Sequence, residues 1–238
     1  MKIGGLQKTT LIDYPGKVAC TVFLIGCNFR CPWCYSPELV LPEKIKNQPR
    51  ISEKEFFEFL ESRQGLLDGC VLCGGEPTIH KNLPDFIKKI KKLGYSVKLD
   101  TNGSNPALLK KLIDKKLIDY VAMDIKQTQN SKFKSQKYDK ATGVKTDLNK
   151  IKKSVEILKN SNIDFEFRTT VALGINTKED IIEIAKWIGG PKVKYYLQNF
   201  LPQKTLDAKF EKIKPYSFEY LKEIQREVAP FFKICQLR

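Results

Sequence analysis

Short apolar runs alternate with longer amphipathic ones along most of the chain, always in the same order. VACTVFLIG (18–26) is almost continuously apolar and β-branched, which predicts a strand buried on both faces. SEKEFFEFLESR (52–63) brings Phe56, Phe59 and Leu60 onto one helical stripe, with Ser52 and Glu55 spaced as a capping box. GCVLCGGE (69–76) then predicts a second strand, LPDFIKKIKKLG (83–94) a helix, and SVKLDTNG (96–103) a third strand. Pro106 can open a helix running to about Lys116. YVAMDIK (120–126) reads as strand four, and a helix is expected from Asp147 to about Asn160. DFEFRTTVAL (164–173) follows as strand five, then a helix with Thr177 as its N-cap and Gly189 and Gly190 at its exit. VKYYLQNF (193–200) is strand six, SFEYLKEIQREVA (217–229) a last helix, and FFKICQL (231–237) a terminal strand.

Strand–helix units repeated six times imply parallel strands joined by right-handed crossovers. Six units are too few for a closed eight-fold barrel, and no Gly-x-Gly-x-x-Gly turn marks a dinucleotide fold. The expected fold class is therefore α/β, a partial (β/α)6 TIM-like barrel with a parallel sheet. It is expected to form a single domain over 1–238, with an N-terminal extension, 1–17, before the first predicted strand. The polar stretch QTQNSKFKSQKYDKATGVKT (127–146) reads as a lysine-rich loop, either plain surface or a lid or docking loop.

With 238 residues, 42% of them hydrophobic, the chain can bury a sizeable core. No signal-like segment and no apolar run long enough for a membrane span is seen, so a cytoplasmic protein without membrane association is expected. Seven cysteines in such a setting favour metal or redox chemistry over disulfides. The formal charge of +15 comes mostly from lysines scattered over helix faces, which suits a solvated surface. No basic run interleaved with aromatics points to nucleic acid, and no nucleic-acid partner is expected.

The densest chemistry lies in GCNFRCPWCYSPEL (26–39), where Cys27, Cys31 and Cys34 follow the first strand. In barrel architectures the C-terminal ends of strands carry the chemistry. A structural zinc site takes four ligands and an iron–sulfur cube commonly takes four thiolates, so three leave one position open. The alternatives are a chance cluster, or a zinc staple completed by Cys20 or Cys70. Cys70 and Cys73 sit three apart in a strand and face opposite sides, so they are expected, with Cys20 and Cys235, to be buried small hydrophobes.

Cys-x-x-x-Cys-x-aromatic-Cys, with Trp33 as the aromatic, resembles the signature of radical S-adenosylmethionine (SAM) enzymes. GLQKTTLIDYPGK (5–17) resembles the start of glycyl-radical activating enzymes, and most of all the anaerobic ribonucleoside-triphosphate reductase activating group. GGEPT (74–78), LDTNG (99–103), MDIKQ (123–127) and FRTTV (167–171) match further motifs in order.

The resemblance implies a [4Fe–4S] cluster on Cys27, Cys31 and Cys34, whose fourth iron chelates SAM and drives formation of a 5′-deoxyadenosyl radical. It further implies SAM contacts from Trp33, Tyr35, Gly74, Gly75, Glu76, Asp100, Asn102, Asp124, Lys126, Arg168 and Gln198. The two glycines would let backbone approach the ligand, Glu76 would accept from the SAM ammonium, and Trp33 would pack near the adenine. Asp100, Thr101, Asp124 and the Ala122 carbonyl would hold a monovalent cation, and Lys126 would face the SAM carboxylate or ribose. Blander readings are open beside these: Glu76 as a helix-start carboxylate, Trp33 as a hydrophobic anchor of the loop, and Arg168 in an interior ion pair.

Tyr35-Ser36 stand where the activating enzymes commonly carry His-Asn, and Gln198, Asn199 and Phe200 where the formate-lyase activase has a histidine. The Cys-rich ferredoxin insert of several other activases is missing. The implied partners are a glycyl-radical enzyme, of the anaerobic ribonucleotide reductase or pyruvate formate-lyase type, and an electron donor such as flavodoxin or ferredoxin. The competing reading is a radical SAM enzyme acting on a small molecule or nucleic acid, for example one like 7-carboxy-7-deazaguanine synthase.

Overall fold

A computed structural model describes residues 1–128 and 134–238. The chain divides into two compact units, one of residues 1–28, 37–122 and 161–164, the other of 29–36, 123–160 and 165–238.

The first unit opens with β1 (Ile3–Thr10), which pairs antiparallel with β2 (Ala19–Leu24). No strand was expected in 1–17. The pattern IGGLQKTT buries only Ile3 and Thr10, so the apolar alternation that announces a strand is missing from this edge strand. Two short helices, α1 (Pro37–Val40) and α2 (Pro42–Ile45), lead to α3 (Glu53–Glu61). The Ser52–Glu55 capping box closes with both hydrogen bonds, and Phe56 and Leu60 are buried. β3 (Gly69–Gly74) runs parallel to β2, and β4 (Ser96–Thr101) parallel to β3. α4 (Leu83–Lys92) and α5 (Pro106–Asp114) pack apolar faces that include Phe86, Ile87, Leu109 and Leu112. Each fully buried Leu, Ile or Phe contributes about 1.5–3 kcal/mol. β5 (Tyr120–Asp124) carries the chain across the boundary between the units.

In the second unit, α6 (Lys134–Thr142) lies inside the stretch expected to be loop, and 129–133 of that stretch fall outside the described residues. Among its described residues only Tyr138 and Ala141 are buried hydrophobics, a stripe too sparse among lysines to read as a helix. α7 (Leu148–Lys159) precedes β6 (Asp164–Val171), and α8 (Lys178–Ile188) follows with the predicted Thr177 cap, completed as a capping box by Asp180. β7 (Gly190–Asn199) is parallel to β6, and after α9 (Phe218–Val228) the terminal β8 (Phe232–Leu237) is parallel to β7. Arg238 grips the fully buried Glu166 with two hydrogen bonds of 2.8 and 3.2 Å, which satisfies a carboxylate otherwise costly to bury. Among the described residues no helix is long and apolar enough to cross a membrane.

Candidate functional site

Two strand ends in the first unit meet immediately before Cys27. β2 stops at Leu24, and Gly26 turns the chain with φ +103° while its N–H donates to the Leu39 carbonyl at 2.7 Å. β3 stops at Gly74, whose φ of +111° suits glycine. A Cβ at Gly75 would lie 1.9 Å from the Gly26 carbonyl oxygen, so only glycine lets the strands approach this closely. The Gly75 N–H reaches the Leu24 carbonyl and the Glu76 N–H the Gly26 carbonyl, both at 2.8 Å. A Cβ at either glycine would meet protein backbone of the neighbouring strand end.

Glu76 is fully buried, and its two carboxylate oxygens are claimed by the chain itself. Oε1 accepts from the Thr78 N–H (3.0 Å), the Thr78 hydroxyl (2.5 Å) and the Thr101 hydroxyl (2.7 Å), and Oε2 from the Asn102 N–H (2.6 Å). Burial raises its pKa, against these hydrogen bonds. The side chain caps the 3₁₀ turn Pro77–Ile79, in keeping with the blander reading, and ties the end of β3 to the end of β4. Asn102 donates to Asn28 at 2.9 Å, and Asn28 donates to Ser104 at 2.8 Å, which steadies the residue after Cys27. Asp100 accepts from the buried ammonium of Lys98 at 2.5 Å. Sequence reasoning missed both Asn28 and Lys98. For Lys98 a signal was present: it alternates with Leu99 in SVKLDT, on the same strand face as Asp100.

The second unit holds the rest of the cysteine loop, and the segment after β7 clasps it. The Leu206 N–H donates to the Cys34 carbonyl at 3.0 Å and the Asp207 N–H to the Pro32 carbonyl at 2.9 Å. The Tyr35 hydroxyl accepts from the Leu201 N–H at 2.8 Å, and its ring stacks on Phe200 with centroids 5.9 Å apart. Trp33 is buried, 6.4 Å from the Phe210 ring, and Phe210 meets Phe200 edge-on, so the loop hangs on an aromatic cluster. On the other flank, the Arg30 N–H donates to the Thr142 carbonyl at the end of α6, at 2.7 Å. Gly143 follows with φ +69°, and a Cβ there would lie 2.2 Å from the Arg30 carbonyl oxygen.

Asp124, at the end of β5, accepts from Lys126 Nζ at 3.0 Å and from Arg168 Nε at 3.0 Å. Burial pulls its carboxyl upward, but the two cations outweigh this and leave it at about 2. Burial pushes the Cys31 thiol up to about 11, while the Lys126 charge works in the opposite direction. Arg168 thus realises the interior ion pair that its place in an apolar strand required. Gln198 lies beside Thr170 in the β6–β7 register.

Every cysteine is free of disulfide bonding. Cys20 and Cys70 are register partners on β2 and β3 with hydrogen-bonded, buried thiols, while Cys73 packs toward Tyr14 and Val71 on the other face. The Cys70–Cys73 pair is therefore split across the strand, as expected. Among the described residues no three His, Cys, Asp or Glu converge on one point as they would for a single metal ion. A cube spreads its thiolates over separate irons and requires no such convergence.

A model of the radical SAM superfamily matches residues 21–188. The chain belongs to the radical SAM superfamily. It is 34% identical over 212 residues to "Putative glycyl-radical enzyme activating enzyme MJ1227" of Methanocaldococcus jannaschii, covering 89% of this chain and 85% of that protein. It is 37% identical over 83 residues to the 7-carboxy-7-deazaguanine synthase of Aquifex aeolicus, covering 34% of each. Among solved structures it is similar to Streptococcus suis SuiB bound to S-adenosylmethionine, with a TM-score of 0.63 at 16% identity, covering 91% of this chain and 51% of that one. The chain thus spans about half the length of that structure, and the likeness shows the fold. The α/β fold expected from the sequence, of the parallel, partial-barrel class, is borne out.

Membership of the radical SAM superfamily implies a [4Fe–4S] cluster and SAM, and the donor chemistry fits both. Thiols outside disulfides are soft ligands suited to iron–sulfur clusters. Lys126, which favours the Cys31 thiolate, and the paired charges of Asp124 and Arg168 suit an ionic cosubstrate.

Proposed function

We propose that this chain is an activating enzyme that generates a glycyl radical on a partner enzyme, of the anaerobic ribonucleotide reductase or pyruvate formate-lyase type. The observation that carries this reading is the extent of the likeness to the activating-enzyme relative, which runs through 89% of this chain and 85% of that one. In this reading 1–238 act as one radical SAM domain, cytoplasmic and anaerobic, with flavodoxin or ferredoxin as electron donor.

Cys27, Cys31 and Cys34 would hold the cluster. Bound cluster and SAM supply hydrogen abstraction through one-electron cleavage of the S–C5′ bond. The chain's part is placement. Burial keeps Cys31 protonated, so iron must displace a proton, and the nearby Lys126 lowers the cost of the thiolate. Lys126 and Arg168 present positive charge to the SAM carboxylate while Asp124 holds both in position. Asp100, Asn102 and Gln198 line strand ends as further polar contacts. Gly74, Gly75 and Glu76 fix the backbone that precedes Cys27, and Trp33 and Tyr35 anchor the loop that carries Cys34. The monovalent cation at Asp100, Thr101 and Asp124 belongs to the same proposal, and it would have to displace the ammonium groups of Lys98 and Lys126.

The test is electron paramagnetic resonance on the reduced, reconstituted protein with SAM and a co-encoded partner. A glycyl doublet in the partner is expected. SAM turnover with a small substrate, and no doublet in any co-encoded partner, would contradict the proposal. The deazaguanine-type alternative, favoured by the 37% identity over 83 residues, predicts that second outcome.

A further inference from the structure

A cavity of about 390 Å³ opens in the first unit, beside the turn that follows β2. Its floor is Ile25 and Gly26, the two residues before Cys27, and its walls are Pro42, Ile45 and Ile79. Two cations, Lys2 and Arg50, stand at its rim, both exposed. Among the described residues neither side chain has an ion-pair partner. Met1, next to Lys2, is already paired, its ammonium meeting Glu53. His80 completes the lining. Its ring hydrogen-bonds the Ile25 backbone, which leaves Nε2 buried without a partner.

We infer that this cavity binds a small aliphatic carboxylate. Two unpaired cations call for an anion, and the planar fork of Arg50 matches a carboxylate. The walls decide what the anion is attached to. Ile25, Pro42, Ile45 and Ile79 offer side chains with no hydrogen-bonding group, so a sugar or nucleotide would bury hydroxyls without partners at a cost. An alkyl stem instead gains from covering those same walls. The size falls in the ordinary range of small-molecule sites. Positive charge already reaches the interior: burial, then the N-terminus and Lys2, lower the His80 pKa. Occupancy would bear on Gly26, whose carbonyl accepts the Glu76 N–H at 2.8 Å.

His80 is the chain's single histidine, so its imidazole signals report on this cavity alone. The full chain, labelled at histidine and reconstituted anaerobically, is titrated with hexanoate, hexylamine and 1-hexanol. Hexanoate is expected to shift the His80 signals saturably, and the other two probes to leave them in place. Arg50→Ala and Lys2→Ala each lie at the exposed rim, and each is expected to weaken hexanoate roughly ten-fold, the loss of one charge-assisted hydrogen bond. The inference is overturned if hexanoate produces no saturable shift, if hexanol or hexylamine binds equally well, or if the double variant binds as the parent does. None of these readings requires SAM or a partner protein, so the outcome is separate from that of the proposed reaction.

Discussion

Glu76 accepts four hydrogen bonds in a fully buried position, so its carboxylate cannot be replaced by an amide without turning donors on donors. Glu76→Gln is expected to lower stability by about 1–3 kcal/mol in urea unfolding, the cost of leaving buried groups unsatisfied. An unchanged midpoint would show that the network does not hold the two strand ends. Asp124 behaves differently with pH. Its carboxyl sits at about 2, below the unfolded value of about 3.9, so its contribution is complete above the unfolded value and is lost as pH falls toward 2. The stability gap between the parent chain and Asp124→Asn should therefore be flat above about pH 5 and close between about pH 4 and pH 2. A gap that widens on acidification would reverse the sign. At this scale residue types were more legible than their uses. GGE was legible as a motif, but which partner fills the glycine gap depends on β2 lying beside β3, a long-range register that no local pattern encodes. Lys98 escaped notice because lysines are so common in this chain that one inward-facing copy carries little signal.

Among the elements, the cysteine loop is held from two directions, by the segment after β7 and by the end of α6. Tyr35→Phe keeps the ring stack on Phe200 but loses the bond from the Leu201 N–H, a cost of about 1 kcal/mol. It should speed release of iron to a chelator from the reconstituted protein, and a release rate equal to the parent's would count against the clasp. Gly143→Ala is harsher. It forces a Cβ into φ +69°, a cost of about 1–2 kcal/mol, and to within 2.2 Å of the Arg30 carbonyl oxygen. Reduced iron content after reconstitution is the expected result, together with a lower unfolding midpoint. Helices such as α3 and α8 were readable to the cap, because Ser52–Glu55 and Thr177 with its apolar stripe follow local rules. β1 and α6 were not, since both owe their form to what they pack against rather than to their own periodicity.

For the whole molecule, membership of the radical SAM superfamily rests on a match from 21 to 188. The ordered motifs at 27–34, 74–78, 99–103, 123–127 and 167–171 let the sequence anticipate that membership. The charge of +15 gave no comparable lead, because scattered lysines on solvated faces fit many functions. The proposed partner and electron donor would likewise be recognised by surfaces, which a motif does not spell out. We propose that the thiols at 27, 31 and 34 carry a cluster that cleaves SAM. This is tested most directly by measuring 5′-deoxyadenosine after anaerobic reconstitution and reduction, with Cys31→Ala beside the parent chain. 5′-Deoxyadenosine is expected from the parent and none above background from the variant; equal yields from both would show that Cys31 holds no such cluster.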